Sequence, residues 1–195
     1  MANKHVERSR VTRERLLTHA RALFADRGYA AVGTEEIVRA AGVTRGALYH
    51  QFKDKAALFE AVVETVEGET TAAIAARAAD APDQLQALRA GGRAFLAICA
   101  DPKVERILML DAPAVLGSER WREIRNEHGL GLVTAVLEAG MQAGVIAPQP
   151  VTALAHLLLG ALHEGALLVV RAADADATRA DVEAVIDRLL DGLAA

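Results

Sequence analysis

The chain has 195 residues and a mass of 20.6 kDa, and about 100–200 residues per domain allows one large domain or two small ones. Hydrophobic residues make up 52%, charged residues 25% and aromatic residues 4%; this excludes wholesale disorder and, with Ala and Leu abundant, favours helices over sheets. The formal net charge of −4 hides an asymmetry: residues 1–55 hold 11 Lys/Arg and 6 Asp/Glu, and the remainder holds 11 and 20, a basic front joined to an acidic body.

The opening MANKHVERSRVTRERLL has no apolar signal-peptide core, so the expected compartment is the cytoplasm. The first predicted helix is Arg10–Arg27, in which Leu16, Ala20, Leu23 and Phe24 form one apolar stripe. Gly28 sits where a helix ends. Thr34 is the predicted N-cap of a short helix that stops at Ala41, with Glu35 and Glu36 suited to its first turn. Gly42 turns the chain, and Thr44 caps a second short helix running to about Phe52. Asp54 caps a long third one from Lys55 to near Ala79.

Pro82 opens a predicted helix through about Ala100. Asp101-Pro102 interrupts, and another helical stretch reaches about Asp111, punctuated by Pro113 and Gly117. Ser118 caps a long helix whose Gly129 and Gly131 weaken the case for its continuity. Gly144 and Pro148-Gln149-Pro150 end it. Val151–Arg171 is strongly apolar, and Thr178–Leu193 is amphipathic, with Asp174-Ala175-Asp176 expected as a loop. No alternating strand pattern or internal repeat is visible. The expected fold class is all-α, about nine helices. Ala153–Val170 is apolar enough to raise a membrane span, but His156, His163 and Glu164 interrupt it, which argues for a helix packed on other helices and partly on a second subunit.

Function concentrates in Thr34–Phe52, TEEIVRAAGVTRGALYHQF. Ile37, Ala41, Val43 and Leu48 form an apolar set that locks two short helices, as in a helix-turn-helix, and the second helix then projects its leading end toward a DNA major groove. Thr44, Arg45 and the backbone around Gly46 lie at that end, where Arg reads guanine and Thr donates, accepts or meets a thymine methyl. Tyr49 and His50, one turn later, can reach phosphates. Lys53 and Lys55 follow, Lys55 near a helix N-terminus.

These residues also carry a resemblance. Arg13–Val63 resembles the N-terminal DNA-binding domain of TetR-family transcriptional regulators, through Phe24-x3-Gly28-Tyr29, Thr34, Ala41-Gly42-Val43, Gly46-x-Leu48-Tyr49-x2-Phe52, Lys55 and Leu58-Phe59. It covers roughly the first third of the chain. It implies a homodimeric, ligand-responsive regulator, most often a repressor acting on a palindromic operator. Its DNA-facing positions are Thr34, Thr44, Arg45, Gly46, Tyr49, His50 and Lys55, with Ala47 beside them at a position that varies in the family. It further implies a three-helix DNA-binding domain, residues 1–55, and a helical ligand-binding and dimerisation domain, residues 56–195. Dimerisation is expected through Val151–Arg171 and Thr178–Leu193. The alternative is a ligand-independent architectural DNA-binding protein.

Other residues bear on an effector site or on rival chemistry. Phe95, Cys99, Met109 and Trp121 are candidates to line a cavity for a largely apolar small molecule, against a reading as plain core with an inert thiol. His156 and His163 are seven apart, too far to ligate one zinc directly, so no metal site is expected. Arg120, Arg122 and Arg125, interleaved with Glu119, Glu123 and Glu127, read as a solvated helix face. There is no phosphate loop, nucleophile elbow or metal-ligand spacing, so neither an enzyme nor a cofactor is expected.

Overall fold

The structure is a computed structural model that describes residues 2–195, with side chains from residue 6 onward. It is all-helical. In chain order the elements are α1 (Ala2–Arg27), α2 (Thr34–Ala41), α3 (Arg45–Gln51), α4 (Lys55–Ala78) and α5 (Gln84–Cys99). Next come α6 (Pro102–Val104), a π-helical turn (Glu105–Asp111) and α7 (Ala112–Leu116), end to end, then α8 (Ser118–Gln142), α9 (Val151–Arg171) and α10 (Ala175–Asp191). With the stretch from Pro102 to Leu116 taken as one, the described residues form nine helices. Their one β feature is an isolated antiparallel bridge, Ile146 to Ala194.

Local chemistry explains where these helices start and stop, and corrects several expected boundaries. α1 begins well before Arg10, and Arg10 ion-pairs with Glu7 and Glu14 one turn to either side. The N-cap of α2 is Gly33, not Thr34: the Gly33 carbonyl accepts from Glu36 and Ile37, and no side chain caps the helix. Gly42 ends α2 at φ +61°, and Gly42 N–H and Val43 N–H return to the carbonyls of Arg39 and Val38. Thr44 does cap α3, its Oγ accepting from Ala47 N–H at 3.2 Å. Asp54 likewise accepts from Ala57 N–H at 2.8 Å.

Further along, α5 begins at Gln84, two residues after Pro82, and Asp83 caps it, accepting from Gln86 N–H. Asp174, expected in a loop, caps α10 through Ala177 N–H, so that helix starts before Thr178. Pro113 lies at the second position of α7, directly after the π-helical turn. α8 runs unbroken through its glycines; a Cβ on Gly129 would stand 3.2 Å from Leu159 Cδ1, so the bare backbone there admits α9.

Two compact units result. The first comprises the chain up to Val66 together with Pro102–Glu119. Here α1, α2 and α3 pack on one another around Leu16, Ala20, Phe24, Ile37, Ala41 and Leu48, all fully buried. Leu58, Phe59, Val62 and Val63 of α4 are buried as well. Leu23 is only half-buried, at the edge of the predicted stripe. The Phe59 ring meets Phe24 edge-on at 5.2 Å and Tyr29 at 5.0 Å. The second unit comprises Glu67–Asp101 and Arg120–Ala195, in which α5, α9 and α10 pack mutually. α9 buries Ala155, Leu158, Leu159, His163, Gly165, Ala166 and Val169. It is long and apolar enough to cross a membrane, but this face is spent on other helices.

Because Phe59 closes the aromatic cluster of the first unit, Phe59→Ala should cost about 3–5 kcal/mol, read as a lower urea midpoint, while Phe59→Leu should cost clearly less.

Candidate nucleic-acid interface and effector cavity

The first unit presents α3 with its leading end uncovered. Thr44, Arg45, Gly46, Tyr49, His50 and Lys53 are exposed, and Thr34 and Ala47 are half-buried. Leu48 and Phe52 face the core, which fixes the rotation of α3. The Thr44 oxygen is engaged as a cap, but its hydroxyl proton remains available to an acceptor. Arg45 lies 3.7 Å from Glu35 and 5.6 Å from the Tyr49 ring centroid. That pair is too exposed to contribute much stability, yet it groups two of the predicted DNA-facing side chains. A Cβ on Gly46 would meet only Thr44 Oγ1, at 4.0 Å, so packing within the chain does not require glycine there. Ala47 and His50 share a shallow cleft with Arg8, Ser9 and Thr12 of α1, and Gln51 donates to Ser9 Oγ at 2.7 Å. Arg8 is thus a basic neighbour of α3 that sequence reasoning missed; only the fold brings α1 beside it.

Lys55 is placed differently from the other cations. Its ammonium donates to the carbonyls of Tyr29 and Val32, both at 2.9 Å, and sits 3.9 Å from the Tyr29 ring centroid. Partial burial lowers its pKa, opposed by the nearby charge of Asp111. Asp111 in turn accepts from Tyr29 N–H at 2.7 Å, and Arg27 donates to the Ala31 carbonyl and pairs with Glu36. The loop that feeds α2 is therefore held from three sides.

The second unit holds an apolar cavity of about 80 Å³, several times what one water needs. Its wall includes Ile74 on α4, Leu88 and Phe95 on α5, Val133 on α8 and Leu159 on α9; Thr71 supplies the one polar side chain. Phe95 is thus at the wall. Cys99 is buried one turn further along α5, where burial pushes its thiol well above the usual range. Trp121 is buried, its ring edge-on to His163 at 6.4 Å. Met109 is buried in the first unit and is not among the cavity-wall residues.

Beside the cavity is a buried polar group that periodicity did not reveal. Burial pushes the Glu67 carboxyl up to about 7, against the pull of Arg125. His163 is buried, and its Nδ1 donates to the Leu159 carbonyl at 2.8 Å, because a carbonyl only accepts. Burial and the Arg125 charge push His163 down to about 3, so it is neutral. Arg125 corrects the solvated-face reading: Arg122 is exposed and Arg120 pairs with Glu123 and Glu127, but Arg125 turns inward, 4.4 Å over the Trp121 ring.

Comparison with known proteins places the chain in a family. Residues 85–193 match the model of the tetracyclin repressor-like C-terminal domain, and residues 16–62 match that of the bacterial regulatory proteins of the tetR family. A solved TetR-family transcriptional regulator from Pectobacterium atrosepticum is 34% identical, with 96% of each chain covered and a TM-score of 0.85. The transcriptional regulator AcrR of Shigella flexneri is 43% identical over 67 residues, 34% of this chain and 31% of that protein. This chain thus spans under a third of the AcrR length. The TetC protein of transposon Tn10 from Escherichia coli is 28% identical over 81% of this chain and 80% of its own.

Two measurements follow. Gly46→Ala should raise stability by about 0.5 kcal/mol, from reduced unfolded-state freedom, and should at the same time weaken DNA binding, because the added methyl projects into the approach to α3. The second is pH-dependent. Between about 4.5 and 7 folded Glu67 keeps a proton that the unfolded chain releases, so its contribution falls as pH rises. Between about 3 and 6.5 the unfolded chain protonates His163 while the folded one does not, so that contribution falls as pH drops. The slopes oppose one another from pH 4.5 to 6.5. In urea titrations Glu67→Gln should make the protein more stable toward pH 6.5 relative to wild type, and His163→Asn more stable toward pH 4.5.

Proposed function

The chain belongs to the TetR family of bacterial regulatory proteins, and from that premise we propose a ligand-released repressor that binds a palindromic operator as a homodimer in the cytoplasm. The relatives are transcriptional regulators rather than enzymes. The observation that carries the DNA-binding half is the exposed leading end of α3: Thr44, Arg45 and Gly46, followed by Tyr49 and His50. Arg45 reads a base edge, and Thr44 donates its hydroxyl proton. Tyr49, His50 and Lys53 hold phosphates, with Thr34, Ala47 and Lys55 alongside. Lys55 has two donors committed to the loop, so its contribution to DNA is its remaining donor and its charge. The DNA-binding portion is residues 1–55, and residues 56–195 bind the effector and dimerise.

Dimerisation is supported by what α9 and α10 leave uncovered. Leu157 is 71% exposed and Leu168 52% on α9; Val185 is 54% and Leu189 52% on α10. Side chains of this size on two neighbouring helices are what an obligate interface covers. Two α3 helices must then enter major grooves about 34–36 Å apart. An effector in the cavity that favours another spacing weakens DNA binding, and DNA disfavours that effector equally. α4 is one continuous helix from Lys55 to the cavity wall at Thr71, Ile74 and Ala78, so it offers the path.

The test is binding to DNA from around the protein's own gene across a salt series. Arg45→Ala should cost about 1–3 kcal/mol and relax preference at one base pair per half-site. Lys53→Met should weaken specific and random DNA alike and lower the salt slope by about one per protomer. Wild-type protein that binds this DNA no better than random sequence would contradict the reading.

A further inference from the structure

The buried polar group is a layer at one end of the apolar cavity. On each of four helices a cavity-wall residue stands four positions from a buried or half-buried polar or thiol side chain. The pairs are Thr71 with Glu67 on α4, Phe95 with Cys99 on α5, Gly129 with Arg125 on α8, and Leu159 with His163 on α9. Residues four apart share one helix face, about 5–6 Å apart along it. Glu67 interacts electrostatically with both Arg125 and Cys99, and Arg125 with His163, so the four polar positions lie together. The Phe95 and His163 rings, 4.8 Å apart, join the cavity wall to this layer.

The layer offers donors without acceptors. Trp121 Nε1 and Arg125 Nε are buried, and neither has a hydrogen-bond partner among the described residues. Trp121 is only 8% exposed, and the guanidinium over its ring brings the two N–H groups into one neighbourhood. Leaving a buried donor unpaired costs about 1–3 kcal/mol, which an incoming acceptor recovers. The Glu67 carboxyl, 6% exposed, is buried within reach of the Arg125 charge. Near neutrality burial keeps about half of it protonated, which leaves the Arg125 charge only partly compensated. An ionised carboxylate is acceptor-only and singly negative. It satisfies both N–H groups, accepts from protonated Glu67 and neutralises one guanidinium. A neutral alcohol or amide could accept the same bonds, but it would leave the partly buried charge uncompensated.

We propose that the effector is an apolar monocarboxylate, a small aryl or alkyl acid, whose body fills the cavity and whose carboxylate is held by Arg125 and Trp121 of α8 with Glu67 of α4. This rests on the reading of the cavity as the effector site. Arg125 supplies the charge, Trp121 a directional N–H, and the cavity wall the selection for an apolar body.

Calorimetry on the intact protein tests it, with benzoate and octanoate against benzamide, benzyl alcohol and octanamide, and with toluene as a purely apolar probe. At least one acid should bind about tenfold or more tightly than its amide. Arg125→Met should abolish that preference while leaving amide and toluene binding in place. Trp121→Phe keeps the ring, removes only the N–H, and should weaken the acid severalfold; it serves also if Arg125→Met does not fold. Amide or alcohol binding as tightly as the acid would overturn the carboxylate assignment and leave the cavity reading standing. Toluene binding with no binding of either acid would do the same. If no probe binds, toluene included, both readings fall.

Discussion

One ammonium group sets the geometry on which the DNA-facing surface depends. Lys55 stands at the start of α4 and reaches back to the carbonyls of Tyr29 and Val32, over the Tyr29 ring. Those carbonyls belong to the loop between α1 and α2, in which the Tyr29 carbonyl also accepts from Val32 N–H. Asp111 takes the Tyr29 N–H from the other side, and Arg27 takes the Ala31 carbonyl. The loop fixed in this way delivers α2, the Schellman turn at Gly42 delivers α3, and Leu48 and Phe52 set its rotation. Arg45, Gly46 and Tyr49 face outward because every step before them is constrained. A charge that reads as a phosphate ligand in the sequence is first of all a clamp within the fold.

The second unit follows a different logic. Its apolar wall could be built by any set of helices with leucine and glycine at helical spacing, and such a wall has no preference among apolar molecules. The polar layer one turn away supplies what the wall lacks. Glu67, Arg125 and His163 are held where burial shifts the protonation of all three, and the Arg125 charge acts on both Glu67 and His163. Burial, aided by the Arg125 charge, holds His163 neutral, and burial holds Glu67 near half-protonation. Such an arrangement costs stability compared with a hydrocarbon core of the same volume. A cost of this kind placed against a cavity is what a binding site shows and a structural core avoids.

Much of the first unit was legible because its signals are local. Leu16, Ala20 and Phe24 carry the period of α1, Gly42 a left-handed turn, and Thr44 a cap, and each of these acts within a few residues. The ends that differed, Gly33 for Thr34, Asp83 for Pro82 and Asp174 for Thr178, lie one to four residues apart, where neighbouring residues compete to start a helix and the local pattern does not choose among them. The π-helical turn at Glu105–Asp111 left no mark in the pattern, since one extra residue per turn is invisible against helical periodicity over seven residues. Arg125 was read with Arg120 and Arg122 because alternating charges on a helix look the same whether one of them turns inward or all face water. The carboxyl whose charge it feels is Glu67, on another helix far away in the chain. Phe95 and Trp121 stood out by size alone, while the charged members of the same layer were hidden by their own solubility.

The claim that joins the two units is that the protein works as a pair of α3 helices at a spacing set by DNA and altered by an effector. Pulsed electron spin resonance on a nitroxide at Lys53→Cys tests it most directly, since the one native cysteine, Cys99, is buried. On operator DNA the account predicts a single narrow inter-protomer distance consistent with helices about 34–36 Å apart, and a shifted or broadened one when effector releases the DNA. No inter-protomer signal, or one distance unchanged between the DNA-bound and effector-bound forms, would contradict it.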